Sequence, residues 1–202
     1  MARRILYVAA EKDPLHLHAL RNRFLRTPNV VVQRLDPESA ADFSGLENCF
    51  DTVLCLNVLE YVDDPRGSIE SMRSRLNPGG TLVVLAPQHG FLYGALDRSL
   101  GHKRRFERAE LEQLLRGAGF EVERAFSLNK IGTPPWWISS KLLGSKRINK
   151  LTLKIFDKTV WLWRRVDPIL PWPGLSLVLV ARKSGGADSP AREVRQLAQL
   201  DA

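Results

Sequence analysis

The sequence predicts an α/β protein with a mainly parallel sheet and helices on both faces, and two observations lead there. Short, nearly continuous apolar runs rich in β-branched residues recur at 5–9, 30–35, 52–56, 81–86 and 175–181, a pattern that suits strands buried on both faces. Between them the apolar residues fall at helical spacing, with Leu17, Leu20 and Phe24 on one face of 14–26 and Ile69, Met72 and Leu76 on one face of 65–76. Alternation of this kind wraps helices around a sheet whose strands run the same way.

Taken in order, the first strand ends near Glu11, and Asp13-Pro14 opens the first helix with an anion at its positive end and a proline in its first turn. The second strand runs to Leu35 and meets Asp36-Pro37-Glu38, which reads as a turn or a helix start. A third helix at 108–117 carries Leu111, Leu114 and Leu115, with Gly117 or Gly119 as its stop, and 121–126 follows as a strand. From 127 to 174 the sequence becomes Trp-rich, Lys-rich and Pro-punctuated, an insertion before the last strand. Residues 1–183 are therefore expected to form one domain and 184–202 a flexible tail, in which 191–200 could form at most a short helix.

At 202 residues the chain has room for one substantial core, and 44% hydrophobic with 26% charged residues is the composition of a soluble globular protein. No apolar run is long enough to cross a bilayer, and the basic start has no cleavage site after it, so the expected location is cytoplasmic. Cys49 and Cys55 share neither metal spacing nor nearby histidines; both are expected as reduced thiols, and no metal site is expected. The net charge of +8 is concentrated late, where eleven cations between 127 and 183 face only Asp157 and Asp167. No nucleic-acid recognition module accompanies that charge, so nucleic acid is not an expected partner.

In doubly wound sheets ligands bind at the carboxyl ends of parallel strands, which makes the polar residues just beyond them the candidates. Glu11 could accept hydrogen bonds from both hydroxyls of a ribose, or could simply favour a helix start. Asp36 could accept from the amino group of an adenine, or could belong to its turn.

The segment 50–62, Phe-Asp-Thr-Val-Leu-Cys-Leu-Asn-Val-Leu-Glu-Tyr-Val, followed by Asp63-Asp64-Pro65, resembles the fourth-strand motif of class I S-adenosylmethionine-dependent methyltransferases. Leu76-Asn77-Pro78-Gly79-Gly80-Thr81-Leu82 is similar to the turn that leads into their fifth strand, one helix later. The resemblance implies a Rossmann-like sheet and S-adenosylmethionine as cofactor. It makes Glu11 the ribose acid, Asp36 the adenine-side acid, and Asn57 and Leu59 neighbours of the methionine portion. Glu60-Tyr61 stands where many relatives have Glu-His, which removes one potential base.

The family also has a glycine-rich loop after its first strand, and this sequence has no glycine before Gly45. The expectation is a fold that lacks that central strand and loop, in a truncated chain or half of a split enzyme. Such a chain could transfer methyl groups, or could serve as a non-catalytic interaction partner.

Across 87–106 the chain resembles methyltransferase domains associated with glycosyltransferases, which implies a small-molecule or lipid-linked saccharide acceptor and a glycosyltransferase partner. His102 could remove the proton of an acceptor hydroxyl, and Arg105 could bind a phosphate or carboxylate. Alternatively, both merely cap the loop and helix around Glu107 and Glu110. His16 and His18 fall within a helix and read as surface or packing residues. Residues 134–165, basic and aromatic, could lie at an anionic bilayer surface or form a helical lid.

Overall fold

The computed structural model describes residues 6–44, 50–145 and 150–184. Gly45, Cys49 and the expected helix at 191–200 lie outside them. The chain divides into two compact units, Met1–Glu47 and Asn48–Ala202.

The first unit is a strand–helix–strand motif. β1 (Tyr7–Glu11) and β2 (Val30–Arg34) pair in parallel from Tyr7↔Val30 to Glu11↔Arg34, and α1 (Pro14–Phe24) makes the crossover. Asp13 starts α1 as the sequence suggests: its Oδ1 accepts from the N–H groups of Leu15 at 2.8 Å and His16 at 3.1 Å, two donors that the first turn leaves without helical acceptors.

The second unit holds a four-stranded sheet in the order β3–β4–β6–β5. β3 (Phe50–Leu56) and β4 (Leu76–Pro87) are joined by α2 (Pro65–Arg75); α3 (Ala95–Leu100) and α4 (Arg108–Gly117) precede β5 (Phe120–Leu128); α5 (Thr133–Trp137) and α6 (Lys150–Val166) precede β6 (Ser176–Lys183). α3 is a short helix that the apolar spacing did not reveal. β3 and β4 are parallel, whereas β6 runs antiparallel to both neighbours, so this sheet is mixed where a mainly parallel one was expected. The insertion is the reason. It leaves the sheet after Leu128 and returns at Ser176, which is the register partner of Leu128, so the last strand must run back along β5.

The sheet's two faces differ. Leu82, Val84 and Ala86 of β4 and Leu177, Leu179 and Ala181 of β6 are fully buried and share one face by register. α2 and α4 pack there, contributing Ile69, Met72, Leu111 and Leu115. The opposite face carries Leu54 and Leu56 of β3, respectively 62% and 50% exposed. Among the described residues β1 pairs only with β2, and β3 pairs only with β4. Cys55 is buried, and burial with the nearby Glu60 pushes its thiol up to about 12, so it stays protonated and unreactive.

Candidate active site

At the carboxyl end of β3 the chain turns sharply. Asn57 takes a left-handed conformation with φ 52°, a region asparagine tolerates better than most residues, while its N–H still donates to Leu85 at 2.8 Å. The turn drives Leu59 and Val62 into the core and carries Glu60 with them, where burial raises the pKa of its carboxyl. Asp64 and Pro65 then open α2, Asp64 accepting from the N–H of Gly67 at 3.0 Å.

The loop after β4 supplies the second wall. Its anchor is Asp97 on α3, fully buried, which accepts from Gly94 N–H at 3.0 Å, Arg105 Nε at 2.8 Å and His102 Nδ1 at 3.1 Å. α3 ends on Gly101 at φ 82°, where a side chain would be strained, and this turn swings His102 back over Asp97. Burial opposes ionisation of Asp97, but the His102 bond and the Arg105 charge outweigh it and hold its carboxyl below the usual range. Because an ionised carboxylate only accepts, Nδ1 of His102 carries the proton in this pair. A neutral imidazole then offers Nε2 as its acceptor.

A pocket of about 250 Å³ lies between these walls, lined by Asn57, Glu60, Tyr61, Pro87, Leu100, His102 and Arg105, with Trp136 from the insertion and Leu175 and Ser176 from the start of the last strand. Tyr61 meets His102 edge to face at 5.1 Å between ring centroids. The insertion is thus tied to the pocket. Leu175 N–H donates to Asn129, Gln88 N–H donates to Leu175, and Thr133 Oγ1 donates to Pro173.

The sequence candidates fall in different places. His102 and Asn57 line the pocket, whereas Leu59 is fully buried in the hydrophobic core and is not among the lining residues. Arg105 reaches the pocket with its charge already engaged: Nε donates to Asp97, Nη1 to the Gln88 carbonyl at 3.0 Å, and the guanidinium lies 4.8 Å from the Trp136 ring centre. Neither residue caps α4. Glu110 does so itself, accepting from Glu107 N–H at 3.3 Å. His16 is a surface residue, its side chain 74% exposed, and His18 shares an exposed hydrogen bond with Asn22.

Glu11 and Asp36 stand together at the carboxyl end of the two-stranded sheet, where Leu35 N–H donates to the Glu11 carbonyl. Glu11 Oε1 accepts from Lys12 and Asp13 N–H, and Oε2 lies 4.0 Å from His16 Nδ1. Asp36 accepts from Lys12 Nζ at 2.7 Å and from Glu38 N–H at 3.1 Å. Burial raises its pKa, but those two bonds prevail and lower it. Two carboxylates at neighbouring strand ends are acceptors of the kind that ribose hydroxyls and an adenine amino group would require. One carboxylate oxygen of Glu11 is available, and the Lys12 bridge is half-exposed, so displacing it costs only about 0–1 kcal/mol.

Asp97, Glu60 and Trp136 enter the site without having been singled out for it. A charged residue inside the apolar run 58–62 was the available signal for Glu60. Asp97 gave none beyond its place in a loop after a strand.

A parallel strand–helix–strand unit ending in acids and, in the second unit, a sheet flanked by helices with a His–Asp pair at a pocket define a fold of the Rossmann-like class. Residues 4–125 match the methyltransferase domain family, and the chain belongs to that family. It is 28% identical over 119 residues to the ubiquinone biosynthesis O-methyltransferase of Xanthomonas euvesicatoria pv. vesicatoria (strain 85-10), a match covering 52% of this chain and 48% of that protein. The chain thus aligns with about half the length of that curated relative.

Among solved structures it resembles the S-adenosylmethionine-dependent methyltransferase of Mesorhizobium loti, with TM-score 0.60 and 14% identity over 88% of this chain and 80% of the other. It also resembles the [4+2]-cyclase SpnF, with TM-score 0.60 and 17% identity over 90% and 67%. Both likenesses concern the fold, and the cyclase illustrates that the fold alone does not specify a reaction.

Proposed function

We propose that this protein uses S-adenosylmethionine to methylate an O–H or N–H group of a small-molecule, saccharide or lipid-linked acceptor. The observation that carries the reading is the Asp97–His102 pair at the pocket mouth. Asp97 holds the ring so that Nε2 can take the acceptor's proton, and its charge stabilises the imidazolium that results. Glu11 and Asp36 would hold the ribose and base. When bound, the cofactor supplies an activated methyl group, so the protein's share of the work is mainly alignment and exclusion of water. Calorimetric titration with S-adenosylmethionine tests the assignment: the expected result is binding that weakens at least tenfold in Glu11→Ala, and unchanged binding in that variant would refute it.

The exposed side chains around α5 and α6 favour an anionic membrane surface as a second partner. Trp161 is 61% exposed, Leu142 64% and Leu143 72%, and Lys154, Lys158 and Arg165 add positive charge. Aromatic and basic residues together suit the headgroup region, where a lipid-linked acceptor, the product of a glycosyltransferase, would be met. Among the described residues no helix is long and apolar enough to cross a membrane.

The open edges of β1 and β3 favour a second reading, in which this chain acts as an interaction partner that receives a strand from another chain through main-chain hydrogen bonds. In that case the calorimetric signal would appear only after the partner is added.

A further inference from the structure

Two polar groups at the pocket have no hydrogen-bond partner among the described residues. Both carboxyl oxygens of Glu60 are buried and unpaired in a side chain belonging to a residue only 1% exposed, and Trp136 Nε1 is buried and unpaired as well. The Glu60 backbone N–H is close enough to favour ionisation a little, but not in hydrogen-bonding geometry. Leaving a buried polar group unsatisfied is costly, and two such groups on residues that line one pocket point to a ligand that draws both into use.

Their chemistry narrows that ligand. The indole N–H only donates, so it requires an oxygen acceptor, and His102 Nε2 in its neutral form requires a donor. Glu60 can accept from a hydroxyl or, when protonated, donate to one. Burial raises its pKa, with His102 and Arg105 acting in the opposite direction. The charge balance disfavours an anion. The one guanidinium of the pocket is spent on Asp97 and Gln88, and Glu60 adds a second acid. Tyr61, Leu100 and Trp136 give apolar walls, and a volume near 250 Å³ falls below the range of about 300–1,000 Å³ usual for drug-sized ligands, enough for a single six-membered ring.

The geometry points to Glu60 and Trp136 as a subsite for a neutral ring bearing adjacent hydroxyls, one hydroxyl donating to His102 and its neighbour paired with Glu60 and Trp136 Nε1. This rests on the methyl-acceptor reading above and gives it a substrate class, a vicinal diol rather than a phosphate or carboxylate. Saccharide rings and dihydroxybenzenes both present that chemistry.

Saturation-transfer NMR on the full chain tests this without turnover, using methyl α-D-mannopyranoside and catechol as the two diols and mannose 6-phosphate as the anion. The expected result is saturable binding of at least one diol, weakened about 5- to 100-fold in Glu60→Ala and about 3- to 10-fold in Trp136→Phe, with mannose 6-phosphate binding less well than the mannoside. Preference between the diols identifies the source. Should Glu60→Ala fail to fold, Trp136→Phe alone decides. Binding of neither diol, affinity unchanged in the variants, or preference for the phosphate overturns the subsite. If the diol binds while S-adenosylmethionine does not, the methyl-transfer reading fails and the subsite stands; with the reverse result the subsite fails and methyl transfer stands.

Discussion

Replacing Asp97 with alanine would leave the Arg105 guanidinium, its side chain 1% exposed, without its carboxylate and would orphan His102 Nδ1 and the Gly94 N–H at the same time. Removing one partner of a buried ion pair costs about 3–5 kcal/mol, because the remaining charge stays buried and uncompensated. A domain of this size has about 5–15 kcal/mol in all, so the loss is a large share. With a urea slope of about 2 kcal/mol/M, the unfolding midpoint should fall by about 1.5–2.5 M, followed by far-UV circular dichroism. Asp97→Asn keeps an acceptor and the shape, and should lose about half as much. Adding Arg105→Met to Asp97→Ala removes the stranded charge and should recover part of the stability, a coupling that a double-mutant cycle reads directly.

The sign of the pH effect follows from the lowered pKa of Asp97. The pair's contribution is complete above the ordinary carboxylate value of about 4 and is lost as pH falls through the lowered folded value. The wild-type midpoint should therefore drop in acid with a component that Asp97→Asn lacks. A midpoint shift under about 0.5 M for Asp97→Ala at neutral pH would refute the proposed anchoring of the site.

His102→Gln should lower kcat by about 10²- to 10⁴-fold against an acceptor that the wild type methylates, while calorimetric affinity for S-adenosylmethionine stays the same; an unchanged kcat would remove the imidazole as base. Leu59→Ala should destabilise the fold by about 2–5 kcal/mol through the cavity it leaves in the core, measured by the same urea transition, since Leu59 is fully buried. Sedimentation with vesicles containing anionic phosphatidylglycerol should carry the protein down at low salt and release it as salt rises; Trp161→Ala should weaken that binding, and no association at low salt would exclude the membrane surface as a partner.

Much of the fold was legible because its signals are local. Apolar runs located all six strands of the structure, although β4 begins at Leu76, five residues before the run at 81–86, and the Asp13-Pro14 pair marked the start of α1. Glu11 and Asp36 could be singled out from their place at strand ends, and Asn57 from the family motif that contains it. α3 escaped notice because six residues hardly complete a periodic pattern. The antiparallel β6 was hidden because strand direction depends on where a long insertion re-enters the sheet, and the sequence of that insertion says nothing about its exit and return.

By itself the sequence determined the strand and helix segments, the acids at strand ends and the family's strand-four and strand-five motifs, since each is written within a few consecutive residues. Tertiary structure alone decided that Asp97 occupies both Arg105 and His102, turning an apparent anion binder into an internal ion pair and leaving a histidine oriented at a pocket. It also placed Glu60 and Trp136 at one cavity though they are far apart in the chain. Burial and pairing depend on what the folded chain brings alongside, and no spacing of residues along the sequence encodes that.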